Sequence, residues 1–132
     1  MLFSIIIPFR NEESNLNSCI NSAIKNFSFD TEIILIDDCS KDNSKEIAKK
    51  FIKKNIKLIS NEKVLGVSKS RNRALKIAKG DYIIFLDADD TLSNNFVKIL
   101  RNQLDKNNID FFFLRSRDSI DNNIDYNEVK KD

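Results

Sequence analysis

Carboxylates cluster at two places in this 132-residue chain where apolar runs end. Asp87-Ala88-Asp89 follows Tyr82-Ile83-Ile84-Phe85-Leu86, and Asp37-Asp38 follows Ile33-Ile34-Leu35-Ile36. Two carboxylates one residue apart at a strand end repel each other, and a bound divalent cation relieves the repulsion. Hard oxygen ligands select Mg²⁺ or Mn²⁺, whose coordination is commonly completed by phosphate and water. A conformational reading fits as well: a turn after the strand, with Asp90, Thr91 or Ser93 capping the next helix. Aspartate is abundant enough that about one or two D-x-D triplets arise by chance, so the triplet alone leaves both readings open. Asp37-Asp38 reads either as a solvated turn favouring the next helix dipole or as an acceptor for a ligand N–H or hydroxyl. Arg71 lies about one turn after Gly66-Val67-Ser68, near a predicted helix start, where it could approach a phosphate or a base. Arg73 reads as surface charge.

The rest of the composition excludes other chemistries. The absence of histidine removes Ser-His and Cys-His nucleophile schemes. Cys19 and Cys39 form no CxxC or Cys/His cluster, so no zinc site is expected. A net charge of +2, from 22 basic and 20 acidic residues, makes no case for nucleic acid as a partner. Lys49-Lys50 and Lys53-Lys54 alternate with apolar residues at helical spacing and read as the wet side of a helix. The apolar runs are too short to cross a bilayer. Met1-Leu2-Phe3-Ser4 lacks the basic region of a signal peptide. The expected location is cytoplasmic, compatible with peripheral attachment at the inner face of the membrane.

These residues need a scaffold, and the hydrophobic pattern supplies one. Residues 3–7 are apolar apart from Ser4 and stop at Pro8, as in a buried strand. Leu16, Cys19, Ile20, Ala23, Ile24 and Phe27 recur at helical spacing, with Asn11 or Ser14 available as caps. Residues 33–36 predict a second strand, and Ile47, Ala48, Phe51 and Ile52 a second helix. A short strand over 56–59, a loop ending at Gly66 and a helix over about 68–78 follow, with Gly80 closing that helix at its C′ position. Residues 82–86 predict a fourth strand, Phe96, Val97, Leu100 and Leu104 a fourth helix, and 109–114 a fifth strand. One domain over 1–116 and a polar, frayed tail over 117–132 are expected. Strands alternating with amphipathic helices predict an α/β fold, a Rossmann-like, mostly parallel sheet flanked by helices. Ligands of such sheets sit beyond the carboxyl ends of the strands. Pro8-Phe9-Arg10-Asn11-Glu12, Asp37-Asp38 and Asp87-Ala88-Asp89-Asp90 would then share one edge.

Four segments, in order, resemble glycosyltransferase family 2. Ser4-Ile5-Ile6-Ile7-Pro8-Phe9-Arg10-Asn11-Glu12-Glu13 resembles its first strand and loop. The segment from Glu32 through Asp37-Asp38-Cys39-Ser40-Lys41-Asp42 to Ser44 resembles its second strand, with Cys39 in place of the usual turn glycine. Asn61 through Gly66-Val67-Ser68-Lys69-Ser70-Arg71-Asn72 resembles the loop and helix before the metal motif, and Gly80 through Asp87-Ala88-Asp89-Asp90 that motif itself. The resemblance covers residues 3 to about 114.

It implies a truncated GT-A fold and metal-assisted sugar transfer from a nucleotide-sugar donor, a UDP-sugar in particular, to a glycan or lipid-linked acceptor, as in polysaccharide biosynthesis. It implies a nucleotide-sugar site of Pro8, Phe9, Arg10, Glu12, Asp38, Gly66, Arg71, Asp87 and Ala88, with Mg²⁺ or Mn²⁺ on Asp87 and Asp89. Arg10 stands where the family often has an aromatic residue. No segment matches the family's later acidic motif that supplies a catalytic base, so no catalytic residue is assigned and the chain is expected to lack the acceptor half. A non-catalytic nucleotide-binding or partner-binding domain is the alternative. The consecutive Phe111, Phe112 and Phe113 predict an apolar surface needing a cover, hence self-association or a partner subunit. The segment Phe85 to Leu92 also resembles the first motif of haloacid-dehalogenase-like phosphatases, but too few residues follow for the rest of that site.

Overall fold

The computed structural model describes residues 2–28 and 30–106. Four strands, β1 (Phe3–Phe9), β2 (Thr31–Asp37), β3 (Ile56–Ser60) and β4 (Tyr82–Phe85), form one sheet in the order β3-β2-β1-β4. All three pairings are parallel. Helices α1 (Leu16–Lys25), α2 (Ser44–Lys49), α3 (Val67–Leu75) and α4 (Phe96–Lys106) follow the strands in turn. The expected fifth strand over 109–114 and the tail lie outside the described residues.

Strand order and handedness fix which face each helix covers. The chain moves from β1 to β2 to β3 in one direction and from β3 back across to β4 in the other. Right-handed crossovers therefore put α1 and α2 on one face and α3 on the opposite face. On the α3 face, Ile6, Ile34 and Ala74 form a buried cluster with Ile59, Ala78 and Ile83 packed against it. Of the predicted stripe, Leu16, Cys19, Ile20 and Ala23 are fully buried, whereas Ile24 and Phe27 are half-buried. Every residue of β1 and β2 is buried, which is why these strands read as continuous apolar runs rather than alternating ones.

The order 3-2-1-4 reverses direction between β1 and β4, and such a reversal opens a crevice at the carboxyl edge. The strand β1 runs through Pro8 to Phe9, past its expected end. Backbone groups alternate sides along a strand: the Ile6 carbonyl accepts from Leu86 toward β4, and the Phe9 carbonyl accepts from Asp38 toward β2. Pro8 thus faces the β4 side, beyond the last β1–β4 pair at Ile6 and Phe85, where no partner strand requires the N–H it lacks.

Two local expectations are corrected. Neither Asn11 nor Ser14 caps α1; Asn15 occupies that position without a side-chain cap bond, and the Glu12 carbonyl takes the Asn15 and Leu16 amides. Helix α3 ends at Leu75, so Gly80 is not its C′ residue. Gly80 is required for another reason. Its N–H donates to Ser4 Oγ at 2.8 Å, and a Cβ there would lie 2.5 Å from the Ser4 nitrogen.

Two compact units divide the chain at residue 98, the second beginning within α4. In the first unit Asn26 holds the approach to α4, donating to the Ser93 carbonyl at 3.0 Å and accepting from the Val97 N–H at 3.1 Å. In the second unit the described residues are 99–106, with Leu100 and Leu104 buried.

Candidate functional site

The loops after β1 and β2 are stitched together by short polar side chains. Asn11 adopts a left-handed conformation, φ 53°, one that asparagine tolerates better than most residues. Its Oδ1 accepts from Lys41 N at 2.8 Å, and its own N–H donates to Ser40 Oγ at 3.1 Å. The Glu12 N–H donates to the fully buried Ser44 Oγ at 2.7 Å, and the Glu13 N–H to Asp42 Oδ2 at 3.1 Å. Arg10 and Glu12 are thereby carried on a braced loop at the sheet edge. Asp37 is committed to the turn, accepting from Ser40 N at 2.9 Å.

Asp38 is 5% exposed and faces the third loop. Its Oδ1 accepts from Leu65 N and from Asn61 Nδ2, both at 2.7 Å, and its Oδ2 from Gly66 N at 2.9 Å. Burial alone would raise its pKa; the Leu65, Asn61 and Gly66 donors, with the nearby Arg10 charge, outweigh burial and hold it below the ordinary value. Gly66, at φ 86°, is the residue from which α3 starts. Arg73 is more than surface charge: its Nη1 donates to the Ser60 carbonyl at 3.1 Å and also to Asn61 Oδ1.

Beyond β4, Arg71 Nη2 reaches Asp87 Oδ1 at 2.6 Å, and the same guanidinium lies 5.0 Å from the centre of the exposed Phe85 ring. Asp87, Asp89 and Asp90 are close enough to act on their neighbours. Burial, then the charges of Asp89 and Asp87, push the Asp90 carboxyl up. The buried Cys19 thiol, which donates to the Asp87 carbonyl at 3.4 Å, is pushed up to about 12 by burial and then by Asp90, Asp89, Asp87 and Glu12. Cys19 is therefore an inert packing residue.

A cavity of about 420 Å³ opens at this edge, lined by Pro8, Phe9, Arg10, Glu12, Val67, Arg71, Asp87, Ala88 and Asp89. It occupies the crevice that the strand order predicts between β1 and β4. The sequence-derived residues Pro8, Phe9, Arg10, Glu12, Arg71, Asp87, Ala88 and Asp89 all meet there. Asp38 and Gly66 do not line it; they hold the loop behind Val67 and Arg71. Val67 was not among the expected residues, and an isolated apolar residue after a glycine carries no signal of its own. Asn61 and Ser44, both buried braces, were also missed because their role depends on partners remote in sequence.

Among the described residues no group of three or more His, Cys, Asp or Glu is arranged to hold a metal ion. Asp87 and Asp89 offer two hard oxygen donors on one cavity, and their mutual charge already shows in the raised Asp90 carboxyl. That donor set fits Mg²⁺ or Mn²⁺ taking its remaining ligands from phosphate and water. Among the described residues no helix is long and apolar enough to cross a membrane.

A parallel sheet with its cavity at the reversal of strand order, rimmed by carboxylates and arginines, defines a Rossmann-like domain of GT-A type. The family model described as glycosyl transferase family 2 matches residues 4–131, and the chain belongs to that family. The chain is 38% identical over 112 residues to the UDP-Glc:alpha-D-GlcNAc-diphosphoundecaprenol beta-1,3-glucosyltransferase WfgD of Escherichia coli, covering 85% of this chain and 44% of that protein. It is 40% identical over 109 residues to the cholesterol galactosyltransferase of Borreliella burgdorferi, covering 81% of this chain and 30% of that protein. The crystal structure of S. aureus TarS 1-349 in complex with UDP-GlcNAc superposes with a TM-score of 0.75 at 34% identity, over 80% of this chain and 32% of that one. The chain thus spans less than half the length of each of these relatives.

Proposed function

We propose that this chain binds the nucleotide of a UDP-sugar at the carboxyl edge of its sheet and takes part in transferring that sugar to a glycan or lipid-linked acceptor. The observation that carries this reading is the meeting of Arg10, Glu12, Arg71, Asp87 and Asp89, from three separate chain segments, around one cavity. The relatives support it: WfgD is named for a UDP-glucose donor and a diphosphoundecaprenol-linked acceptor, and TarS is crystallised with UDP-GlcNAc.

In this reading Pro8, Phe9 and Glu12 border the nucleoside, with Arg10 presenting a cationic plane in place of an aromatic ring. Arg71 is tethered to Asp87 and can turn its guanidinium toward phosphate. Ala88, between the two aspartates, leaves room for the diphosphate, while Asp38 and Gly66 support the wall from behind. Asp87 and Asp89 would hold Mg²⁺ or Mn²⁺, which when bound would supply Lewis-acid stabilisation of the charge on a leaving diphosphate. The described cavity carboxylates all serve the donor side, and none is assigned as the base that activates the acceptor. Work at the cytoplasmic side of the membrane suits a nucleotide-sugar donor.

The direct test is calorimetric titration of UDP into the chain with Mn²⁺, with Mg²⁺ and with neither. Binding that tightens with either metal is expected. Absence of UDP binding under all three conditions would overturn the reading.

A further inference from the structure

We infer that Asn61 is a positioning residue for the nucleotide site, acting through Asp38 and α3 without touching the ligand; this rests on the reading just proposed. Asn61 follows the last residue of β3 and is 5% exposed. Each of its polar groups is used. Nδ2 donates to Asp38 Oδ1 at 2.7 Å and to the fully buried Ser70 Oγ at 2.9 Å. Its Oδ1 accepts from Arg73 Nη1. Its backbone N–H donates to the Asp37 carbonyl at 2.8 Å, and its carbonyl accepts from Cys39 Sγ at 3.1 Å.

This pattern permits one amide orientation. Turned over, the Asn61 oxygen would face the Asp38 carboxylate and the amide nitrogen would face the Arg73 guanidinium, losing both favourable contacts and adding two repulsive ones. Held as it is, Asn61 does two things. It aims Asp38, whose oxygens then clasp the Leu65 and Gly66 amides at the start of α3. It also seats α3 directly, through Ser70 and Arg73. Val67 and Arg71 are the residues that α3 contributes to the cavity. Asn61 does not line the cavity, so its effect on a ligand must pass through these neighbours.

The test uses Asn61→Asp, nearly identical in shape. Around position 61 the charged groups are Asp38 from the β2 loop, Arg73 from α3 and, near Asp38, Arg10 from the β1 loop. At low pH the carboxyl introduced by Asn61→Asp, when protonated, can still donate to Asp38. At high pH two carboxylates face each other at hydrogen-bond distance and the clasp opens. UDP is titrated into Asn61→Asp and wild type at constant Mn²⁺, at pH 5.5 and pH 8, and the ratio of their dissociation constants is compared, which cancels the titration of UDP itself. The expected ratio is within about threefold at the lower pH and about tenfold or more at the higher one. A ratio near one at both values overturns the inference.

A second readout does not need the nucleotide. Amide hydrogen exchange should show the Leu65 and Gly66 protection factors of Asn61→Asp falling at pH 8 relative to wild type, and unchanged protection overturns the inference. If wild type binds no UDP, the proposed function fails while the exchange arm still decides the role of Asn61. Should Asn61→Asp unfold at the higher pH, Ser70→Ala takes its place at a single pH, with about a two- to fivefold loss of UDP affinity expected and no loss counting as contradiction.

Discussion

The two ends of the same sheet both carry carboxylates, a buried Glu32 at one and an exposed aspartate cluster at the other, and they differ in what is left open. At the amino edge, Glu32 is 7% exposed. Its Oε1 accepts from Ser4 Oγ at 2.7 Å and from Lys79 N at 2.6 Å, while Oε2 meets Lys57 Nζ at 3.4 Å. Gly80 packs against Ser4 with no room for a methyl group. At the carboxyl edge the Asp87 side chain is 54% exposed, shares its Oδ1 with Arg71, and borders a cavity with Asp89. The buried carboxylate is closed by the protein's own donors; the exposed cluster is closed only in part. Carboxylates of the first kind stabilise the fold, and those of the second are available to a ligand.

Filling the closed end should have the largest effect. Gly80→Ala drives a Cβ into the Ser4 backbone, which cannot move without disturbing β1, and should cost about 2–4 kcal/mol. Thermal or urea unfolding measures this, and UDP affinity of the folded fraction should stay unchanged. A loss of affinity without a loss of stability would break the contrast between the two ends.

Glu32 gives the next effect. Burial alone would raise its pKa, but the Lys79 N–H, the Ser4 hydroxyl and the Lys57 ammonium outweigh burial, so it lies below the ordinary glutamate value. The unfolded chain therefore takes up the proton first. The resulting stability is fully present above the unfolded glutamate pKa of about 4.3 and is lost as pH falls through the lower folded value. Glu32→Gln should cost about 1–2 kcal/mol at pH 7 and flatten this part of the acid limb of a stability–pH profile. An acid limb unchanged by the substitution would show that Glu32 does not contribute to the acid sensitivity of the fold.

The smallest effect belongs to the turn after β2. Cys39 is held at φ 57°, which costs an L-residue with a side chain about 1 kcal/mol, and its Sγ returns one weak bond to the Asn61 carbonyl. Cys39→Gly should raise stability by up to about 1 kcal/mol in urea unfolding, less the entropy glycine loses on folding. A decrease would show that the Asn61 contact outweighs the backbone strain.

Most of the sheet was readable in the sequence because its strands are buried on both faces, and burial on both faces writes a continuous apolar run. Much of the cavity lining was readable for a related reason: Pro8 to Glu12 and Asp87 to Asp89 lie at strand ends, and parallel strands bring those ends to one edge, whereas Val67 and Arg71 come from α3. What escaped was set by contacts between distant segments. The glycine at position 80 looks like a helix terminator until Ser4 is seen beside it. The grip of Asp38 on the Leu65 and Gly66 amides shows only in the fold, and Asn61 looks like any loop residue until its partners on the β2 loop and α3 are in place.

Under the proposed function, a metal-bound nucleotide would complete the open carboxyl-edge cluster. Asp89→Ala is the decisive variant, since Asp89 lines the cavity and its side chain makes no hydrogen bond among the described residues. UDP is titrated calorimetrically into wild type and Asp89→Ala, with and without Mn²⁺, alongside their unfolding temperatures. Mn²⁺ is expected to tighten UDP binding to wild type by about tenfold or more, Asp89→Ala to lose that gain, and the two to unfold within about 0.5 kcal/mol of each other. Wild-type binding indifferent to metal, or a gain retained in Asp89→Ala, would contradict that expectation.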